Sequence, residues 1–387
     1  MGTIAQSVLV GDAVVPGGLR RIGITIRNGK ISEVVNDPHS EDIPADYRSV
    51  DGLICPGFID LQINGAFGID VGPNDVGLGE LATRLPRTGT TAFLPTAISW
   101  PSERYEALLE ALGKASSGHG AHILGAHIEG PFLSPERKGA HDPENLLPID
   151  LGLLKDILGA GPVAVMTVAP ELDGAEKAAE LLCDSKVVAS VGHTNATYEE
   201  VSRAVDAGFS KATHLYNTMS PFEHRAPGAV GAVLTDDRVR AGIIADGVHV
   251  HQGALRLAYR EKGVEGLALV TDAMEAAGME DGEYELSGRT VRLDGGFVRL
   301  PDGTLAGSSL TMDGAVRNAS KFLGIPLEEA VRMASETPAE ILGVPEKGRI
   351  TPGADADLVV LDRKGFVQET IVGGETVYQR EGNGHGG

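Results

Sequence analysis

The chain has 387 residues, 42% of them hydrophobic but only 4% aromatic, so any large core must be built mostly from Ala, Val, Leu and Ile. That length exceeds one small domain and suits a barrel of about 250 residues with a smaller module beside it. A formal net charge of −21 argues against nucleic acid or an anionic membrane as partner, and an anionic substrate would need a local cluster of Arg and His to overcome it.

The opening residues, MGTIAQSVLVGDAVVPGG, lack the basic start and sustained apolar run of a signal peptide. Gln6 stands where a myristoylation motif needs Ser or Thr. No run approaches the roughly 18 apolar residues of a membrane span. Cys55 and Cys183 form neither a disulfide framework nor a CxxC metal site, so a reduced cytoplasmic protein is expected.

The first fifty residues predict short strands: SVLVGDAVV, GITIRNG and KISEVV are β-branched runs broken by Gly, Asn and Asp. From residue 57 the pattern changes. Eight apolar runs, each ending in polar residues, recur at 57–64, 91–96, 123–130, 163–171, 187–194, 211–217, 242–247 and 267–272. Helix-like segments such as RYEALLEALGKA and ATYEEVSRAVDAG lie between them, which is the alternation of βα units. Eight such units predict an α/β fold with a closed (β/α)₈ barrel of TIM type. EYELSGRTVRLDGGFVRL then reads as an inserted hairpin, and two helical stretches close the domain. GRITPGADADLVVLD and FVQETIVGGETVY return to strand character, and the tail GNGHGG is expected to be disordered. The two ends are therefore expected to pair into a small β-sandwich module, giving boundaries at 1–55, 56–345 and 346–387.

Ionisable residues stand at the ends of four of the runs: Glu129 on the third, His193 on the fifth, His214 on the sixth and Asp272 on the eighth. A barrel gathers these positions at one mouth. Glu, His and His make a three-ligand set for Zn²⁺ with a fourth position open to water, and a water held there ionises near neutral pH to become a nucleophile. Asp272 would serve as general base and then return the proton to the leaving group. His127, two residues before Glu129, is expected to be packed or supporting rather than ligating. On the first run, Gln62 and Asn64 are poor transition-metal ligands, which favours one metal over two. Asp60 would either orient a neighbour or belong to a turn. Arg225 and His249, in loops beyond strands, could bind an anion, helped by backbone N–H groups at Asn217 and Thr218. His141 follows the third strand on a long loop and could reach the reacting centre. His224 and His251 read as surface residues, while His39, His119, His122 and His385 carry no motif.

Together PGFID…QIN, HIEGPFLSPERKGAH, GHTNATYEE, THLYNTMSPFEHRAPG, GIIADGVHV, LVTDAMEAAG and AGSSLTMDGAVRN resemble the N-acetylglucosamine-6-phosphate deacetylases of the amidohydrolase superfamily. The likeness runs from about residue 50 to 360. HIEGPF with KGAH, and THLYN…R-x-PG, are its most specific parts. The resemblance implies one divalent metal, Zn²⁺ first with Fe²⁺, Co²⁺ or Mn²⁺ as alternatives, held by Glu129, His193 and His214. It implies Asp272 as base and then acid, with His141 polarising the acetyl carbonyl. Arg225 and His249 would hold the sugar phosphate beside Asn217 and Thr218, and Ser309, Leu310 and Thr311 would contact the sugar. A homodimer is implied, with phosphate partners from either subunit. The implied reaction gives glucosamine 6-phosphate and acetate. A different mononuclear amidohydrolase, acting on N-acyl amino acids or cyclic amides, would lack the Arg225 and His249 anion site. An inactive barrel scaffold would have lost a ligand or the base.

Overall fold

The computed structural model describes residues 6–39, 47–72, 75–115 and 118–381, so the expectation for the GNGHGG tail and for His385 lies outside the described residues. All eight apolar runs form parallel strands, paired in chain order around a ring: Phe58–Ile63, Thr90–Ala97, Ala126–Glu129, Val163–Val168, Val188–Val191, Lys211–Ala212, Arg240–Ile243 and Leu267–Leu269. A helix follows each of the first seven. Ser102–Lys114 and Tyr198–Asp206 cover the two segments read as helical from sequence, and Thr197 with Glu200 forms a capping box on the second. Met312–Leu323 follows the eighth strand after an insertion.

The first and eighth strands close the ring just beyond their ends. Asp272 N donates to Gln62 O at 2.9 Å, Asn64 N donates to Ala273 O at 2.7 Å, and Ile63 bridges Ala273 in parallel register. Asp60 stitches this seam from within. Its buried carboxylate accepts from Thr271 Oγ1 at 2.5 Å and from the backbone N–H of Thr271 and Gln62, each at 3.2 Å. Burial pushes the Asp60 carboxyl up to about 7 against those hydrogen bonds. Asp60 lies inside the first strand and not in a turn, and it orients Thr271 across the seam.

The two chain ends pair into one seven-stranded sheet. Glu375–Gln379, Val367–Val372 and Leu358–Leu361 join Arg48–Pro56, Gln6–Val15, Gly18–Arg27 and Lys30–Asn36 in that order. The join is antiparallel, with Leu358 opposite Pro56. Of the sandwich expected there, the described strands form this one hydrogen-bonded sheet. It buries an apolar face of its own, including Leu9, Ile22, Ile24, Ile31, Ile54, Leu358 and Ile371. Both cysteines are free, Cys55 buried and Cys183 exposed. No helix among the described residues is long and apolar enough to cross a membrane.

Gly57 is the step from this sheet into the barrel. An alanine Cβ there would lie 2.1 Å from Thr91 Oγ1 and 2.4 Å from Thr91 Cγ2. Thr91 is buried, so it has little room to withdraw. Gly57→Ala is expected to destabilise the fold by about 1–3 kcal/mol, the range for overpacking a filled core, read from the denaturant midpoint.

Candidate active site and metal centre

Glu129, His193 and His214 converge at the mouth of the barrel, where each side chain is at most about 5% exposed. Glu129 Oε1 lies 2.9 Å from His214 Nε2 and 3.1 Å from His193 Nε2, and the two Nε2 atoms are 3.1 Å apart. A donor triangle with edges near 3 Å suits a cation bonded at about 2.0–2.2 Å. Tautomers support the same reading. His193 Nδ1 donates to Arg137 O at 2.8 Å, which leaves the Nε2 lone pair facing Glu129 Oε1 and His214 Nε2. A lone pair turned toward a carboxylate and a second imidazole nitrogen calls for a cation between them. The residues present therefore fit a single divalent metal.

Burial would raise Glu129, yet its close contacts with the His193 and His214 imidazoles hold it well below the usual carboxylate range. Burial would lower His214, but the hydrogen bond and charge of Glu129 outweigh it and hold it above the usual histidine value.

Several of these side chains are delivered by uncommon backbone. His193 (φ +46°), His214 (φ +31°), Thr218 (φ +52°) and Asp272 (φ +48°) all occupy the left-handed region. Such conformations are rare for residues other than glycine and persist where surrounding contacts enforce them. Gly139 answers a different constraint. With φ +55°, its missing Cβ would meet Thr218 Cγ2 at 2.9 Å and His193 Cε1 at 3.2 Å.

Gln62 and Asn64 donate to carboxylates. Gln62 Nε2 lies 3.3 Å from both oxygens of Glu129 and 3.2 Å from Asp272 Oδ1, and Asn64 Nδ2 donates to Asp272 Oδ1 at 2.9 Å. Two amide N–H groups thus occupy the ground a second cation would need. Burial and then the Glu129 charge raise Asp272 to about 6, opposed by the Asn64 hydrogen bond among others.

His141 comes from the long loop after the third strand. Its Nδ1 accepts from Ser99 N–H at 3.1 Å and lies 2.9 Å from Ser99 Oγ. An accepting Nδ1 places the ring proton on Nε2, the tautomer a carbonyl-polarising donor needs. Burial, then His193, keep this imidazole well below its ordinary value and so neutral. His127 is buried against Thr167 Oγ1 at 2.8 Å, and burial lowers it to about 3, in keeping with a supporting rather than ligating residue.

A cavity of about 250 Å³ opens over these groups, lined by Asn64, Glu129, His141, His193, His214 and Asp272 together with Asn217, Thr218 and His249. His249 is oriented by Asp246, whose Oδ2 lies 2.6 Å from His249 Nδ1. Arg225 is not among the lining residues. Glu223 and Ala226 exchange backbone hydrogen bonds of 3.1 Å, leaving Arg225 at the exposed tip of a tight turn. Ser309, Leu310 and Thr311 do not line the cavity either; Thr304, Leu305 and Gly307 do. The reason is local: Ser308 Oγ donates to Thr271 O at 2.5 Å and Ser308 N to Asp272 O at 2.7 Å. These anchors pin Ser308 just beyond the eighth strand and leave Thr304, Leu305 and Gly307 facing the cavity.

The insertion is a three-stranded sheet, Gly282–Leu286, Arg289–Asp294 and Phe297–Arg299, where a hairpin was expected. It builds one wall of the site: Leu286 lines the cavity and Arg289 Nη1 donates to Ala140 O at 2.6 Å, holding the loop beside His141. Sequence reasoning missed Ser99, Arg289, Leu286, Thr304, Leu305 and Gly307. AGSSLTM was in view, but nothing in it says which of its residues turn inward. His251 caps the helix Gln252–Gly266, and His119 lies 2.9 Å from Glu375, both outside the site.

A ring of eight parallel strands with Glu, His, His and Asp at one mouth defines a metal-dependent barrel hydrolase, and the amidohydrolase family's pattern matches residues 53–377. The chain belongs to the amidohydrolase family. Within it, the chain belongs with the N-acetylglucosamine-6-phosphate deacetylases: it is 38% identical over 380 residues to the Lysinibacillus sphaericus enzyme of that name, covering 97% of each chain. It is also 39% identical over 343 residues to an N-acetylgalactosamine-6-phosphate deacetylase of Escherichia coli O157:H7, covering 87% of this chain and 90% of that one. Among solved structures it is similar to an aspartate-to-alanine mutant of the Mycobacterium smegmatis N-acetyl-D-glucosamine-6-phosphate deacetylase, in complex with N-acetyl-D-glucosamine-6-phosphate. There the TM-score is 0.91 at 33% identity, covering 97% of this chain and 100% of that one.

Proposed function

We propose that the chain hydrolyses the acetamide of N-acetyl-D-glucosamine 6-phosphate to D-glucosamine 6-phosphate and acetate. The observation that carries this is the meeting, in one cavity, of the Glu129–His193–His214 donor set, the elevated Asp272 carboxyl and the Nε2–H tautomer of His141. When bound, a divalent cation supplies Lewis acidity, polarising the amide carbonyl and acidifying water. Zn²⁺ is the proposed cation, ahead of Fe²⁺, Co²⁺ or Mn²⁺, because two imidazoles and a carboxylate match its preferred donors.

Asp272 takes a proton from the attacking water, its carboxylate steadied by the amide N–H groups of Asn64 and Gln62. His141 donates from Nε2 to the carbonyl oxygen as negative charge builds there. Asp272 then returns its proton to the sugar nitrogen, which leaves as the amine. His249, braced by Asp246, and the loop at Asn217 and Thr218 are assigned to the sugar phosphate, with Thr304, Leu305 and Gly307 against the sugar. Arg225, exposed outside the cavity, suits a phosphate bound across the subunit contact of the expected homodimer. A reduced cytoplasmic setting and division of the chain at 1–55, 56–345 and 346–387 belong to the same reading.

Acetate release from N-acetylglucosamine 6-phosphate, run beside the unphosphorylated sugar, tests it. Fast release from the phosphorylated sugar alone is expected, and equal rates on both would overturn the assignment of the phosphate site. The relative named as an N-acetylgalactosamine-6-phosphate deacetylase supports a second reading, a preference for the C4 epimer, which the N-acetylgalactosamine 6-phosphate reaction decides.

A further inference from the structure

Both oxygens of Glu171, just beyond the fourth barrel strand, are committed to the two residues that follow His193. Oε1 accepts from Asn195 N at 2.7 Å, and Oε2 accepts from Thr194 Oγ1 at 2.5 Å. Thr194 Oγ1 in turn accepts from Ala196 N at 2.9 Å. The same turn is tied to the loop after the third strand. Ser134 N donates to His193 O at 2.9 Å, Arg137 Nε donates to Asn195 Oδ1 at 2.9 Å, and Asn195 Nδ2 donates to Glu136 Oε2 at 2.7 Å. It is also tied to the sixth: Thr194 N donates to Thr218 O at 3.0 Å, and Ser220 N to Thr194 O at 2.9 Å.

This network surrounds a residue in an unfavourable conformation. His193 has φ +46°, and its Nδ1–H must find Arg137 O for Nε2 to point at Glu129 and His214. Arg137 is held where its carbonyl can do this by the bond of its own side chain to Asn195, the residue whose N–H Glu171 anchors. A carboxylate gripping two successive donors makes charge-assisted hydrogen bonds, which are stronger than neutral ones.

We infer that Glu171 is a positioning residue for the cation site, clamping the turn 194–196 so that His193 presents Nε2 toward Glu129 and His214. The inference rests on the reading of Glu129, His193 and His214 as metal donors. A carboxylate that merely stiffened a surface loop would affect stability and leave the metal alone.

Chelator-competition titrations of the metal-stripped full-length protein with Zn²⁺, and the visible spectrum with Co²⁺, separate the two. Glu171→Ala is expected to lose about 10–100-fold in Zn²⁺ affinity, the usual cost of removing a partner that orients a ligand, with a changed Co²⁺ spectrum. The stripped variant should also melt lower than stripped wild type, because buried Thr194 Oγ1 loses its acceptor, so the metal affinity and the Co²⁺ spectrum decide between the two roles. Glu171→Gln keeps one acceptor and should fall between the two in affinity; it also serves if the alanine variant does not fold. Unchanged Zn²⁺ affinity and Co²⁺ spectrum in both variants, or in the glutamine variant alone if only it folds, would overturn the inference. Failure of the wild type itself to bind either metal would overturn the metal-site reading first, and this inference with it.

Discussion

Asp272→Asn is expected to lower kcat by roughly 10²–10⁴-fold, the range associated with removing a general acid–base, while metal content stays at the wild-type level. The substitution is nearly isosteric, and its Oδ1 can still accept from Asn64 Nδ2 and Gln62 Nε2, which now bond Asp272 Oδ1 at 2.9 and 3.2 Å. Asparagine also tolerates the left-handed backbone at this position, φ +48°, better than most residues. The fold and the donor triangle should therefore survive, and only the proton-accepting charge is lost. Substantial residual turnover with metal bound would remove Asp272 from the reaction.

The same residue predicts the acid side of the pH profile. Burial and the Glu129 charge raise its carboxyl to about 6, so the base is ionised above that pH and protonated below it. Activity should fall as pH drops through this range. A bound cation opposes the shift, because positive charge favours the carboxylate, and places the limb at or below pH 6. In Asp272→Asn the residual rate should lose this limb, as a kcat/KM profile would show.

Glu129→Gln is expected to abolish turnover by removing the only anion among the three donors. The measurement is metal content beside acetate release: both should fall to background, whereas loss of activity with full metal occupancy would make Glu129 something other than a ligand. The variant should stay folded. Glu129 is a buried charge, and the neutral amide no longer incurs the desolvation cost that two histidine contacts now offset. In the wild type, metal binding should weaken as pH falls. His214 is held above the usual histidine value by Glu129, so its proton competes with the cation.

Much of this site is legible in the chain because a barrel converts sequence position into spatial position. Glu129, His193, His214 and Asp272 are 21 to 143 residues apart, yet each ends an apolar run, and the ends of parallel barrel strands share one mouth. The single-metal expectation also follows from residue type, since Gln62 and Asn64 lack the charge and basic nitrogen of good ligands. What those amides do instead, donating to Glu129 and Asp272, depends on neighbours 67 and 208 to 210 residues away. Ser309, Leu310 and Thr311, expected to contact the sugar, lie outside the cavity lining for a related reason. Motif residues identify a stretch, but the Ser308 bonds just beyond the eighth strand decide which part of it faces the cavity.

The strand–helix alternation, the pairing of the two ends and the chemical types gathered at the barrel mouth are all legible along the chain. All of these follow from side-chain identity and the period of apolar residues. The imidazole tautomers, the left-handed backbone at His193, His214 and Asp272, the three-stranded insertion that steadies Ala140 and the exposed position of Arg225 arise only from long-range contacts. Those features depend on which distant donor or acceptor each group meets, as when Ser99 sets His141 from 42 residues away, and no local pattern in the chain encodes such a meeting.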